Sequence, residues 1–285
     1  MLVQSLDDGF ASWELASRPV PTRFRGLVRT WLGYSERAAG IRRQRELPGA
    51  RVVVIFEFGP PIRVSATGSE RCETLPRGGF VAAIHRSFAM TEHDGEQAGI
   101  QVDLTPLAAR RIFGMPLAHL HDRTVSLPDV IGDASLGDQL AELRTWQARF
   151  DRVERVLEQR LHAGPTTCPR VAWATGQIEA RGGQIQAGAL ARELGCSRKH
   201  LAALFHDQVG CTPKLYAKIA RFQRLVAAAR APEPPRWADL ALELGFSDQA
   251  HLAREVRSLS GVTPSGLRDQ FSPVTNVQDE QAAAR

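Results

Sequence analysis

The sequence predicts an α+β protein in two parts: a small antiparallel sheet or barrel with helices, then an all-α segment made from a repeated pair of helices. Three observations carry this. β-Branched and aromatic runs bounded by turn residues crowd positions 46–104, "RVVVIFEFG" being the clearest. Beyond residue 105 apolar residues recur at helical spacing. Finally, "GCSRKHLAALFHDQVGCTP" (195–213) is nearly restated as "GFSDQAHLAREVRSLSGVTP" (245–264). A chain of 285 residues has room for two cores of ordinary size. The expected division is 1–164 and 165–272, with 273–285 as a disordered tail.

The elements follow in order. The opening "MLVQSLDDGFASWELASRP" contains acidic residues and no continuous apolar run. No segment approaches the roughly 20 apolar residues of a membrane helix, so a soluble cytoplasmic protein with no membrane partner is expected. Residues 51–59 read as a strand closed by Gly59, Pro60 and Pro61, and "GGFVAAIHRSFAM" and "AGIQVDLTP" as strands around the turn-rich "EHDGEQ". Thr105, Pro106 and Gly114 supply the cap, first-turn proline and terminator of a short helix. Leu136, Leu140, Leu143, Phe150, Val153, Leu157 and Leu161 then mark one long helix over about 136–161. Such a stripe either packs on the preceding sheet or forms a seam between subunits. "HAGPTTCP" reads as a linker.

In the repeat, Leu190, Gly195 and Ser197 match Leu240, Gly245 and Ser247 at an offset of 50. Leu201, Gly210 and Pro213 match Leu252, Gly261 and Pro264 at an offset of 51, so the second copy has one extra residue just after its serine. Each copy spells a short helix, a glycine turn, a serine placed to cap a second helix, and a Thr-Pro that opens another. That is a helix-turn-helix, whose second helix can enter a major groove. The buried pattern is broadly kept between copies. The outer face is rewritten, from Lys199, Ala203 and His206 to Ala250, Arg254 and Arg257. "PKLYAKIARFQRLVAAAR" between the copies predicts one continuous helix, stopped by "APEPP". Ordinary paired helical hairpins would leave the charge unexplained. Residues 1–164 hold 21 basic and 20 acidic side chains, whereas 165–272 hold 14 and 9. The excess suits a polyanion such as double-stranded DNA. Cys72, Cys168, Cys196 and Cys211 lack metal-ligand spacing and read as reduced thiols.

Residues 168–271 resemble the DNA-binding domain of the AraC/XylS family of bacterial transcription regulators, through "LARELGCSRKHLAALF", "VGCTPKLYAKIARFQRL" and "GFSDQAHLAREVRSLSGVTPSGLR". The resemblance implies seven helices in two modules; RNA polymerase is an expected partner and no cofactor is expected, while the sequence leaves open whether the protein is an activator or a repressor. The strands of the first half look like the cupin-type domains that sense small-molecule effectors and form homodimers in many members. Matched by motif position, base contacts fall on Lys199, Ala202 and Ala203 in the first module, and on Gln249, Ala250, His251, Ala253 and Arg254 in the second. Ser197, Arg198, His206, Arg221, Ser247 and Arg257 are the phosphate contacts the match implies. Two of the three first-module reading positions are alanine, and Val256 replaces a usual phenylalanine. The second module is therefore expected to supply more of the specificity.

His85, His93, Glu92, Asp94 and Glu96 are the group a metal-dependent cupin-type enzyme would use. The only His-x-His pair, His119 and His121, lies outside the predicted strands, and the sequence favours a solvated turn at 93–96 with no metal. No nucleophile elbow or nucleotide loop appears, so no catalytic residue is assigned. An effector-independent architectural DNA binder would not need some 160 residues ahead of its DNA-binding part. If a small-molecule effector binds, Trp31, Phe56, Phe58, His85 and Phe88 are the candidate lining.

Overall fold

The computed structural model describes residues 1–7 and 11–271, so the tail expected at 273–285 lies outside the described residues. Eleven strands precede the helical half among the described residues. They are β1 (Leu2–Asp7), β2 (Ala11–Ser17), β3 (Val28–Ala38), β4 (Arg42–Glu46), β5 (Val52–Glu57), β6 (Arg63–Ser65), β7 (Cys72–Thr74), β8 (Phe80–Ala82), β9 (Ala89–His93), β10 (Glu96–Leu104) and β11 (Thr124–Ser126). They form two antiparallel sheets, ordered β1-β2-β3-β10-β5-β8-β11 and β4-β9-β6-β7. The α+β class with an antiparallel double sheet is thus the observed one. The four strands before residue 46 escaped the sequence reading. β4 is the polar run "RRQRE" and β1 is exposed along its whole length, so neither shows an apolar alternation.

Strand parity divides the large sheet into two chemistries. Trp31, Val52, Val54, Phe56, Ile100, Val102 and Leu104 point to one face and join the main core. That face is covered by α1 (Pro106–Phe113), α2 (Leu127–Ile131), α3 (Leu136–Glu142) and α4 (Trp146–Ala163). Leu15, Tyr34, Ile55 and Phe80 point the other way and meet Val64 of the small sheet and Ile62 just before it. α1 begins and ends as read: Thr105 Oγ1 accepts the Ala108 N–H at 3.3 Å, and Gly114 closes the helix with φ 68°.

The single helix expected over 136–161 is two helices. Thr145, extended at φ −122°, caps α4 by accepting the Ala148 N–H at 3.2 Å, and the break falls at 143–145. Leu136, Leu140, Phe150, Val153, Leu157 and Leu161 are all in the core against the sheet, with Leu143 packed at its edge. The stripe is therefore internal packing and offers no seam to a second subunit.

Seven helices complete the described chain: α5 (Pro169–Ala180), α6 (Ala187–Glu193), α7 (Arg198–Val209), α8 (Pro213–Ala229), α9 (Trp237–Glu243), α10 (Gln249–Ser260) and α11 (Pro264–Asp269). Their apolar faces make a second core around Tyr216, Ile219, Phe222 and Leu225 of α8, joined by Leu201 and Phe205 of α7 and Leu252 and Val256 of α10. Among the described residues no helix is long and apolar enough to cross a membrane.

Candidate nucleic-acid interface

α6 with α7 and α9 with α10 are the two copies of the repeat. α7 and α10 are both 12 residues long and end in left-handed glycines, Gly210 at φ 85° and Gly261 at φ 75°. Their starts differ. Ser197 Oγ accepts the His200 N–H at 3.1 Å and caps α7. In the second copy the cap is Asp248, whose Oδ1 accepts the His251 N–H at 2.6 Å, and not Ser247. The inserted residue is thus absorbed as a new cap, and Ser247 moves out to bond Asp248 Oδ2 at 3.2 Å. Donation from His251, seconded by Ser247, holds the Asp248 carboxyl below its usual range, so an anion sits at this helix N-terminus.

Lys199, Ala203, Gln249, Ala250 and Arg254 are exposed, and Ala202, His251 and Ala253 are partly so. Arg198, Lys199, Arg254 and Arg257 are exposed and make no ion pair among the described residues. The His251 ring stands edge-on to Phe246, centroids 5.3 Å apart, with Nδ1 3.2 Å from Ser247 Oγ. Val256 is fully buried, so the smaller side chain still fills a core position.

Two residues expected at phosphates have protein neighbours. Arg221 on α8 makes a forked pair with Glu255 of α10, Nη2 lying 2.8 and 2.7 Å from the two carboxylate oxygens and Nε 3.1 Å from one of them. Its guanidinium also lies 4.3 Å over the Phe246 ring. Through Nε and Nη2 it braces the second module against a carboxylate with 9 % of its side chain exposed. The exposed His206 ring is 6.4 Å from that of His121 in the first half of the chain.

That second contact belongs to a wider docking. Arg110 of α1 pairs with Asp207 of α7 at 3.0 Å, and Gly210 sits against Leu117, whose carbonyl oxygen would be 3.0 Å from an added Cβ. The Ala50 N–H donates to Gln223 Oε1 of α8 at 3.1 Å, and Arg29 pairs with Glu179 of α5 at 2.6 Å. At the far end of α10, Arg45 Nη1 donates to the Ser260 carbonyl at 3.2 Å and Ser87 Oγ to the Ser258 carbonyl at 3.0 Å. These bonds satisfy carbonyls that a helix C-terminus leaves open. Phe88 lies so close to Gly261 that a Cβ there would stand 2.4 Å from its ring.

Between the two sheets is a cavity of about 730 Å³. Of the five residues proposed to line an effector site, only His85 does so. Trp31 and Phe56 pair with Val102 and Ile100 across the sheet and so share the opposite, helix-covered face. Phe58 meets Trp146 edge-on, and Phe88 lies under the Arg45 guanidinium at the contact with α10. The lining comes instead from residues on the sheet's other face, such as Leu15, Tyr34, Val53, Ile55 and Phe80. Of the group weighed for metal, Glu92 and Asp94 pair with Arg63, His85 and His93 line the cavity, and Glu96 pairs with Arg37. Among the described residues no three His, Cys, Asp or Glu are grouped to hold a metal ion.

Two helix-turn-helix modules in tandem, each displaying an exposed and differently furnished second helix, define a DNA-binding transcription regulator. A family model described as "Helix-turn-helix domain" matches residues 190–270. A probable transcription factor, PqrA of Proteus vulgaris, is 32% identical over 99 residues, which is 34% of this chain and 78% of that protein. The chain belongs to the AraC/XylS family of transcription regulators. Similar solved structures include a transcriptional regulator with an AraC-type DNA-binding domain from Chromobacterium violaceum, 24% identical, covering 37% of this chain and 95% of that one at a TM-score of 0.34. Another is ToxT of Vibrio cholerae with an unsaturated fatty acid bound, 10% identical, covering 91% of this chain and all of that one at a TM-score of 0.47.

Proposed function

We propose that the chain is a sequence-specific regulator that lays α7 and α10 into successive major grooves on one face of DNA, under the control of a small molecule held between its two sheets. The observation that carries the DNA reading is the pair of capped 12-residue helices with rewritten outer faces, set on one linker helix. The 17 residues of α8 span about 26 Å, which suits helices one DNA turn, roughly 34 Å, apart. On this reading Lys199, Ala202 and Ala203 face bases in one groove, and Gln249, Ala250, His251, Ala253 and Arg254 in the next. Ser197, Arg198, His206, Ser247 and Arg257 lie over phosphates. Residues 1–164 are the sensing part and 165–272 the DNA-binding part. RNA polymerase is the expected protein partner, a second copy joins through the sensing part, and the protein works in the cytoplasm.

Effector control is supported by one short segment. Glu46, Leu47, Pro48, Gly49 and Arg51 line the cavity, while Arg45 and Ala50 within the same stretch bond α10 and α8. A ligand that shifts this wall shifts the seat of both helices.

The test is footprinting of the full-length protein on a pool of promoter fragments from its host. Two protected patches about 10 base pairs apart on one face are expected. A single patch, or none, would overturn the two-groove reading.

A further inference from the structure

The cavity between the sheets has a chemistry that narrows what it can hold, on the reading that it is the effector site. Its volume of about 730 Å³ is within the usual range for small-molecule pockets. Leu15, Val53, Ile55, Ile62, Val64 and Phe80 give it an apolar waist. Two histidines in its lining are more than nine-tenths buried, His85 at 7 % exposure and His93 at 8 %. Among the described residues each keeps one buried ring nitrogen without a hydrogen-bond partner, Nε2 of His85 and Nδ1 of His93. Burial lowers the pKa of both, so both imidazoles are neutral at physiological pH.

The two stand in different parts of the lining. His85 is bonded to the main chain at Arg123, next to Thr124 of β11. His93 Nε2 is 3.8 Å from Glu36 of β3. In the large sheet β3 and β11 are four strand spacings apart, up to about 19 Å along the sheet. A ligand reaching both is elongated.

The His85 end has a defined polarity. Its bond to Arg123 raises the ring's pKa, as donation from the ring to a carbonyl does, and this leaves Nε2 as a lone-pair acceptor. Thr124 Oγ1, also in the lining, is buried and likewise without a partner among the described residues. A hydroxyl group satisfies both at once, donating to Nε2 and accepting from Oγ1. A carboxylate has no proton for Nε2. Two of the lining's cations are already engaged, Arg51 with Asp103 at 3.0 Å and the exposed Arg43 with Glu92 at 3.6 Å. Arg42, the remaining cation of the lining, is at the exposed rim. Glu36 beside His93 repels an anion at the other end.

We infer that the cavity takes an uncharged, elongated, mostly apolar molecule whose terminal hydroxyl is received by His85 Nε2 and Thr124 Oγ1.

Decanol and decanoate, equal in chain length and different in charge, test this with the full-length protein at neutral pH, followed by the fluorescence of Trp13 in the lining. Decanol is expected to bind about ten-fold more tightly than decanoate, the worth of one hydrogen-bonded group left unpaired. His85→Phe and Thr124→Val should each erase most of that preference, and two variants on separate segments guard against one failing to fold. Decanoate binding as well as or better than decanol would overturn the inference. So would saturation by neither probe, or a preference unchanged in both folded variants. Footprinting with and without decanol separates this from the regulatory reading: tight decanol binding with an unaltered footprint upholds the ligand class and removes the effector role.

Discussion

Glu57 is a carboxyl group at 3 % exposure on the cavity side of the large sheet, its Oε1 accepting the Ile62 N–H at 2.9 Å. Burial pushes its pKa from an ordinary 4.5 up to about 7, against the lowering effects of that bond and of Arg77. Because the folded value is the higher one, the native state holds a proton that the unfolded chain has lost between about 4.5 and about 7. Stability therefore falls as pH rises through that window, by about 3 kcal/mol in full, and stays low above it. Chemical denaturation at a series of pH values should show this slope, and Glu57→Gln should flatten it while retaining an acceptor for Ile62. At the DNA surface the corresponding single-residue test is Arg254, exposed and without an ion-pair partner among the described residues. If it forks onto a guanine, Arg254→Ala costs about 1–3 kcal/mol on a matched site and much less on a scrambled one. An equal loss on both, measured by gel shift, would reassign it to a phosphate.

Between elements, the Arg221–Glu255 fork ties α8 to α10 with both side chains mostly out of water. Glu255→Ala should cost about 3 kcal/mol by leaving a buried guanidinium unpaired, and Arg221→Met with Glu255→Leu should recover most of it. Thermal unfolding of the three variants measures both figures. The elements themselves were unevenly legible. Capping chemistry is local, so Thr105, Ser197 and the terminal glycines could be read from single residues. The break at 143–145 was hidden because the apolar stripe runs through it without a missed beat, and only Thr145 hints at a new start. The shift of the second cap to Asp248 follows from the inserted residue, but serine is as good a cap, so the sequence alone does not choose between them. The cavity lining was misread for a different reason. Size picked out Trp31 and Phe56, but which face a strand residue takes depends on its partners across the sheet, and those lie tens of residues away.

For the molecule as a whole, the exposed cations of the two modules set how binding responds to salt. With Arg198 and Arg257 at phosphates and Lys199 and Arg254 in the grooves beside them, four cations neutralise the DNA, and the logarithm of affinity should fall with the logarithm of salt at a slope of about −4. Arg257→Ala should reduce that slope by about 1. Fluorescence anisotropy over a salt series gives both values. The docking of the helical half adds a constraint that no single module carries. α7 is held through Asp207 and Gly210 by one part of the first half, and α10 through Ser258, Ser260 and Gly261 by another. The gap between the two reading heads is therefore not ruled by the linker alone. The first half acts as the frame of a caliper and α8 as its crossbar. A chimera carrying a foreign first half should still recognise the same short words in DNA, yet prefer a different number of letters between them.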